Sequence, residues 1–71
     1  MDVIIIQCPA KMDDLIRYLD EYLIVAFKDT KTYIINGYMT KVCKGLLEID
    51  NGIQIKMETI TKIIVVKNVE T

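Results

Sequence analysis

Leu46-Leu47-Glu48-Ile49-Asp50-Asn51-Gly52-Ile53-Gln54-Ile55-Lys56-Met57 decides the fold class of this chain. Two runs of alternating apolar and polar residues are joined there by a turn signal, the pattern of a half-covered antiparallel hairpin. The alternation also sets the loop length. A two-residue Asn51-Gly52 loop would place Ile53 opposite Asp50 and Ile55 opposite Glu48, mixing apolar and charged side chains on one face. A three-residue loop, Asp50-Asn51-Gly52, places Ile53 across from Ile49 and Ile55 across from Leu47. A slip of one residue turns every side chain to the other face, so the three-residue loop is expected, with Gly52 at the positive φ of a bulge. The result is a curled antiparallel sheet, one face dry and one wet.

Outward from the hairpin, a short break at Glu58-Thr59 leads to Ile60–Lys67, which contains the run Ile63-Ile64-Val65-Val66. Upstream lie Leu23–Phe27, a polar turn at Asp29-Thr30-Lys31, and a β-rich run Thr32–Met39. Gly37 inside that run marks a bulge or bend. Thr40–Gly45, with Lys41 and Lys44, reads as a polar loop. Val3-Ile4-Ile5-Ile6 is a continuous β-branched run closed by Pro9, a short strand covered on both sides. Between it and Leu23 the period changes. Met12, Leu15, Ile16, Leu19, Tyr22 and Leu23 form a helical stripe, which predicts a helix over about 10–22. Pro9 near its start and Asp13-Asp14 in its first turn suit the positive end of the helix dipole. The expected class is α+β, mainly β. One domain over 1–71 forms a small, strongly bent antiparallel barrel of about five strands, with one amphipathic N-terminal helix and a short extra N-terminal strand. Closure of such a sheet removes its sticky edges.

From Asp13 to Val66 the layout resembles the Sm-like and SH3-like small barrels. A helix precedes the strand Leu23–Phe27, the acidic turn at Asp29, the strand bearing Gly37, and Leu46–Asp50. Ile55–Ile63 is similar to the short break and last strand of those barrels. The order of a cysteine, a short acidic helix and then a barrel also resembles the small Sm-like antiterminators that bind the transcription-termination factor Rho. Thr40–Gly45 lacks the Sm family's loop with aspartate and asparagine, and no Arg-Gly or Lys-His pair stands before the last strand. The resemblance therefore implies shape and does not bring RNA binding with it.

The chain has 71 residues, of which 52% are apolar and 27% charged. A core this small rarely supplies more than ~3–5 kcal/mol without a disulfide, a metal or a partner subunit. The first two have no candidates here, so a homo-oligomer is expected. The net charge of −1 hides a split. Residues 10–23 carry net −2, from Asp13, Asp14, Asp20 and Glu21 against Lys11 and Arg17. Residues 24–67 carry net +3, from seven lysines against Asp29, Glu48, Asp50 and Glu58. An acidic helix on a mildly basic sheet is far from the basic stripe of a strong nucleic-acid binder. The apolar run Val3–Ile6 is too short for a signal peptide or a membrane span. A reducing, cytoplasmic setting with Cys8 and Cys43 as free thiols, and no membrane partner, is the expectation.

The chain contains no histidine, which excludes Ser-His-Asp and Cys-His catalysis in their usual forms and any His-ligated metal. Cys8, before Pro9 at the expected helix start, reads either as a thiolate favoured by the dipole or as a small buried apolar residue. The second reading is preferred. Asp13-Asp14 and Asp20-Glu21 are adjacent pairs pointing about 100° apart on a helix, so neither converges on one atom. Asp13 and Arg17, at i and i+4, suit a solvated ion pair. Met12, Met39 and Met57 read as gap-filling core. No catalytic residue, cofactor or metal site is expected.

These readings point to a non-enzymatic regulatory or inhibitory module. It self-associates through apolar edge strands or the helix and acts through a protein partner. Such a chain suits an accessory protein of a virus or mobile element. Asp14, Arg17, Tyr18 and Glu21 are the expected partner contacts, with Tyr18 as an interface anchor off the apolar stripe. The alternative is a small oligomeric barrel binding RNA or a phosphorylated nucleotide with Lys41, Lys44 and Lys56, and with Tyr38 stacking on a base.

Overall fold

The hairpin forms in the expected register. In the computed structural model, which describes residues 2–67, Leu47 pairs with Ile55 and Ile49 with Ile53. The loop conformation differs from expectation. Positive φ falls on Asp50 (53°) and Asn51 (61°), and Gly52 is not left-handed. Gly52 N–H donates to the Ile49 carbonyl at 3.2 Å, closing a reversed turn whose two central residues are types that tolerate this region. Contacts across the sheet hold them there. Asp50 N–H donates to the Tyr38 carbonyl at 2.9 Å, and Asp50 Oδ1 accepts Tyr38 N–H at 2.9 Å. Asn51 N–H donates to Thr40 Oγ1 at 3.0 Å. The Asp50 carboxylate thus takes the place of a strand carbonyl.

The elements run β1 (Asp2–Ile6), α1 (Met12–Leu15), a 3₁₀ turn (Ile16–Tyr18), β2 (Tyr22–Lys28) and β3 (Thr32–Cys43). They continue with β4 (Leu46–Ile49), β5 (Ile53–Lys56), a second 3₁₀ turn (Met57–Thr59) and β6 (Ile60–Lys67). All six strands lie in one antiparallel sheet, in the order β1-β6-β2-β3-β4-β5. The architecture is mainly β, but the sheet is open. Both edges of β6 are taken, by β1 and β2, so β6 has no edge left to close against β5. A gap of ≈ 270 Å³ remains between the end of β2 and β5, lined by Phe27, Lys28, Asp29, Gln54, Ile55, Lys56 and Thr59.

β3 carries the bend. Its first part pairs with β2, its second part with β4, and the register shifts between Met39 and Lys41. Gly37 is needed for close approach: a Cβ there would lie 2.5 Å from both Asp50 Oδ2 and Ile49 Cγ2. The polar loop expected over Thr40–Gly45 is largely strand. Thr40–Cys43 continue β3, and only Lys44 and Gly45, at φ 50° and 75°, make the turn. Val42 opposite Leu47 is buried, and that cross-strand pair keeps the segment in the sheet.

The helix expected over 10–22 is not formed as such. One α turn at Met12–Leu15 passes into the 3₁₀ turn, then Leu19 turns extended (ψ 139°) and Asp20 left-handed (φ 67°). The sheet takes the backbone groups that further helical turns would use. Asp20 N–H donates to the Met39 carbonyl at 2.8 Å, and Met39 N–H donates to the Glu21 carbonyl at 3.0 Å. Tyr22 and Leu23, read as helical, start β2. The stripe is split accordingly. Leu15 is fully buried, while Met12, Ile16 and Leu19 are exposed, so Met12 is not core. Leu15 closes a core of Leu23, Val25, Met39, Leu47, Ile49, Ile63 and Val65, with Ile4, Ile6, Tyr18 and Met57 packed against it.

Candidate functional site

Three of the four residues expected to contact a partner share one groove. Asp14, Arg17 and Tyr18 line it from the helical segment, and Ile4, Ile5, Ile6 and Gln7 line it from β1 and the residue after it. Its volume is ≈ 360 Å³. The short helical segment brings the three together, because Asp14, Arg17 and Tyr18 recur at three- and four-residue spacing on one side. Asp14 Oδ2 accepts Lys11 N–H at 3.1 Å, and Asp14 N–H donates to the Lys11 carbonyl at 3.0 Å. These bonds fix the first turn. Tyr18 is half-buried against the core, so it has one packed side and one free side. Arg17 forms no ion pair with Asp13. Among the described residues the ion pair formed is Lys67 Nζ with Glu21 Oε2 at 3.8 Å. Glu21 therefore stands apart from the other three, because the chain leaves the helix before reaching it.

The residues of the nucleotide alternative do not converge. Lys44 and Lys56 line a groove of ≈ 340 Å³ with Gly45, Leu46 and Glu58. Lys41 stands cross-strand from Glu48, and Tyr38 lies before the β3 register shift, its ring edge-on to Tyr22 at 5.2 Å. The groove thus holds a carboxylate beside its two ammonium groups, and the tyrosine is engaged elsewhere.

Neither thiol is bonded to the other. Cys8 is partly buried at the end of β1, with its Sγ 3.9 Å from the Ile6 carbonyl. Burial pushes its thiol above the ordinary cysteine range, and the Ala10 backbone N–H offsets this in part. The helix dipole does not make it a thiolate, and a single α turn offers little dipole to do so. Among the described residues no group of three His, Cys, Asp or Glu side chains is gathered for a metal ion. No helix among them is long and apolar enough to cross a membrane.

A second surface was not anticipated from single residues. Cross-strand partners share a face, so, short of the end pair Lys28–Thr32 at the β2-β3 turn, the outward positions of β1, β6, β2 and β3 form three rows. They are Val3–Val66–Tyr22–Tyr38, Ile5–Ile64–Ile24–Asn36 and Lys62–Ala26–Ile34. Val3 is 60% exposed, Ile5 62%, Ile34 73% and Tyr38 45%. The Asn36 side-chain amide donates to the Tyr22 hydroxyl, and Lys62 is the single charge in the three rows. The signal that could have found this face is the pair of runs Leu23–Phe27 and Ile63–Val66, apolar at every position.

Against family models, curated proteins and solved structures, the chain gives no match.

Proposed function

We propose that this chain is a non-enzymatic regulatory or inhibitory binding module that self-associates and acts through a protein partner. The convergence of Asp14, Arg17 and Tyr18 on a groove walled by β1 carries the reading. β1 pairs with β6 on one side only and ends the sheet. Its other edge offers backbone N–H and carbonyl groups to an extended segment of a partner, which adds as a further strand. The free side of Tyr18 supplies apolar contact area, while Arg17 and Asp14 select the orientation and charge of the incoming segment. The strand order β6-β2-β3-β4-β5, with a 3₁₀ turn before the last strand, supports a small Sm-like or SH3-like barrel opened by the added β1.

Selection of peptides from a random displayed library against the immobilised protein tests the reading. Selected peptides are expected to shift the amide resonances of Ile4, Ile6, Arg17 and Tyr18, and to be lost from a variant carrying Arg17→Glu and Tyr18→Ala. Peptides that move resonances elsewhere, or that bind this variant equally, overturn it. The alternative of RNA or a phosphorylated nucleotide is favoured by the shared groove of Lys44 and Lys56. A steep fall of RNA affinity with salt, abolished by Lys44→Glu, would support it instead.

A further inference from the structure

We propose that the outward face of β1, β6, β2 and β3 is covered by the same face of a second copy of this chain, giving a two-fold sandwich of sheets. The inference rests on the self-association reading and names its surface. β1, β6 and β2 are adjacent, and each is apolar on both sides: Val3–Ile6, Ile63–Val66 and Leu23–Phe27 show no alternation. Strands of this kind belong in sheets covered on both faces. Here the inner face is covered by the protein's own core, while on the outer face Val66 is buried, Ile24 and Ile64 are half-buried, and Val3, Ile5 and Ile34 stand at 60%, 62% and 73% exposure. The single chain therefore covers the outside only in part, and its rim of Val3, Ile5 and Ile34 stays open.

Size and charge both point to a second copy. Four strands spaced about 4.8 Å apart and three outward rows spaced about 6.7 Å apart make a platform of roughly 20 × 20 Å. Two such platforms, with their side-chain relief, bury on the order of 1,000 Å² together, the lower bound for a specific interface. A foreign partner would be selected by a pattern of charge, yet the three rows hold one charge, Lys62, and one amide, Asn36, with Lys28 beyond them at the rim. A face that is apolar over most of its area is complementary to itself, as an isologous two-fold contact requires. Ile4 and Ile6 point to the opposite face, so Ile5 is the one groove-lining residue the sandwich covers, and Asp14, Arg17 and Tyr18 stay accessible.

Sedimentation equilibrium of the whole chain tests the inference, with Ile34→Glu and Ile5→Glu as disrupting variants and Gln54→Glu as a control on β5. The wild type and Q54E are expected to be dimeric with a measurable dissociation constant. I34E and I5E, whose positions are exposed in the single chain, are expected to keep their far-ultraviolet circular dichroism and to dimerise roughly 100-fold more weakly, because each buries an unpaired carboxylate. A wild type that sediments as a monomer at every concentration overturns the inference, and so does a folded I34E that dimerises like the wild type. Peptides selected for the groove should bind I34E unchanged. Loss of dimer alone therefore bears on this face, and loss of peptide binding alone bears on the groove.

Discussion

The β4-β5 hairpin and the β1-β6-β2 strands treat their outward faces in opposite ways. In the hairpin, Leu47, Ile49 and Ile55 are buried while Glu48, Gln54 and Lys56 face out, so alternation reports a sheet wet on one side. In β1, β6 and β2 the outward places belong mostly to apolar residues, Val3, Ile5, Ile64, Val66, Ile24, Ala26 and Tyr22, with Lys62 among them. β3 joins the two regimes. Before its register shift it presents Ile34, Asn36 and Tyr38 outward, and after it Lys41. The contrast teaches that lost alternation carries information of its own. It says that a second face expects cover, even where the single chain supplies it only in part.

The largest expected effect comes from neighbours in β6 that point to opposite faces. Ile63 is fully buried, so Ile63→Ala should lower stability by ~2–5 kcal/mol in urea unfolding, whatever the protein concentration. Ile64 lies in the outward row with Ile5 and Ile24. Ile64→Ala should cost less in dilute solution, and the gap to the wild type should widen as concentration rises, because a covering subunit adds stability by mass action. A cost at Ile64 equal to that at Ile63, and independent of concentration, would erase the distinction between the faces.

At the junction between the two regimes the smaller effect belongs to Gly37. An added methyl meets Ile49 Cγ2 and the Asp50 carboxylate at 2.5 Å, and Asp50 is tied to Tyr38 through two hydrogen bonds. Gly37→Ala should therefore cost ~1–3 kcal/mol as overpacking. The loss should be accompanied by faster amide exchange at Tyr38 and Asp50. Unchanged exchange at these two amides would place the crowding elsewhere and separate Gly37 from the bend.

The parts of the fold that could be read in advance are those set by local pattern with a steep penalty for error. The register of Leu47 with Ile55 belongs here, because a one-residue slip would bury Gln54 and Lys56. The helix failed for the opposite reason. Its stripe from Met12 to Leu23 is equally compatible with one α turn followed by a strand, and the deciding bonds are those of Asp20 and Glu21 to Met39, far along the chain. Local periodicity holds no record of that pairing. The same break explains the site. Asp14, Arg17 and Tyr18 were legible as a group because they precede Leu19, and Glu21 was not because it follows. The other wall of the groove, β1, is placed by pairing with β6, at the far end of the sequence.

The smallest effect tests whether the end of β1 is as closely packed as the apolar half of the sheet implies. Cys8 follows that strand, and burial raises its thiol above the usual range. The folded protein therefore keeps the proton at pH values where the unfolded chain has lost it. Below the unfolded pKa this contribution to stability is complete, and it is lost as pH rises through the folded pKa. In a Cys43→Ser background, alkylation of Cys8 should accelerate with pH along a curve shifted to higher pH in the native protein than in urea. The urea midpoint should decline toward alkaline pH, and Cys8→Ser should reduce that decline. Coincident alkylation curves for native and unfolded chain would mean that water reaches Cys8 freely. The end of β1 would then be loosely held, and Ile6 and Gln7 would give the groove a yielding wall.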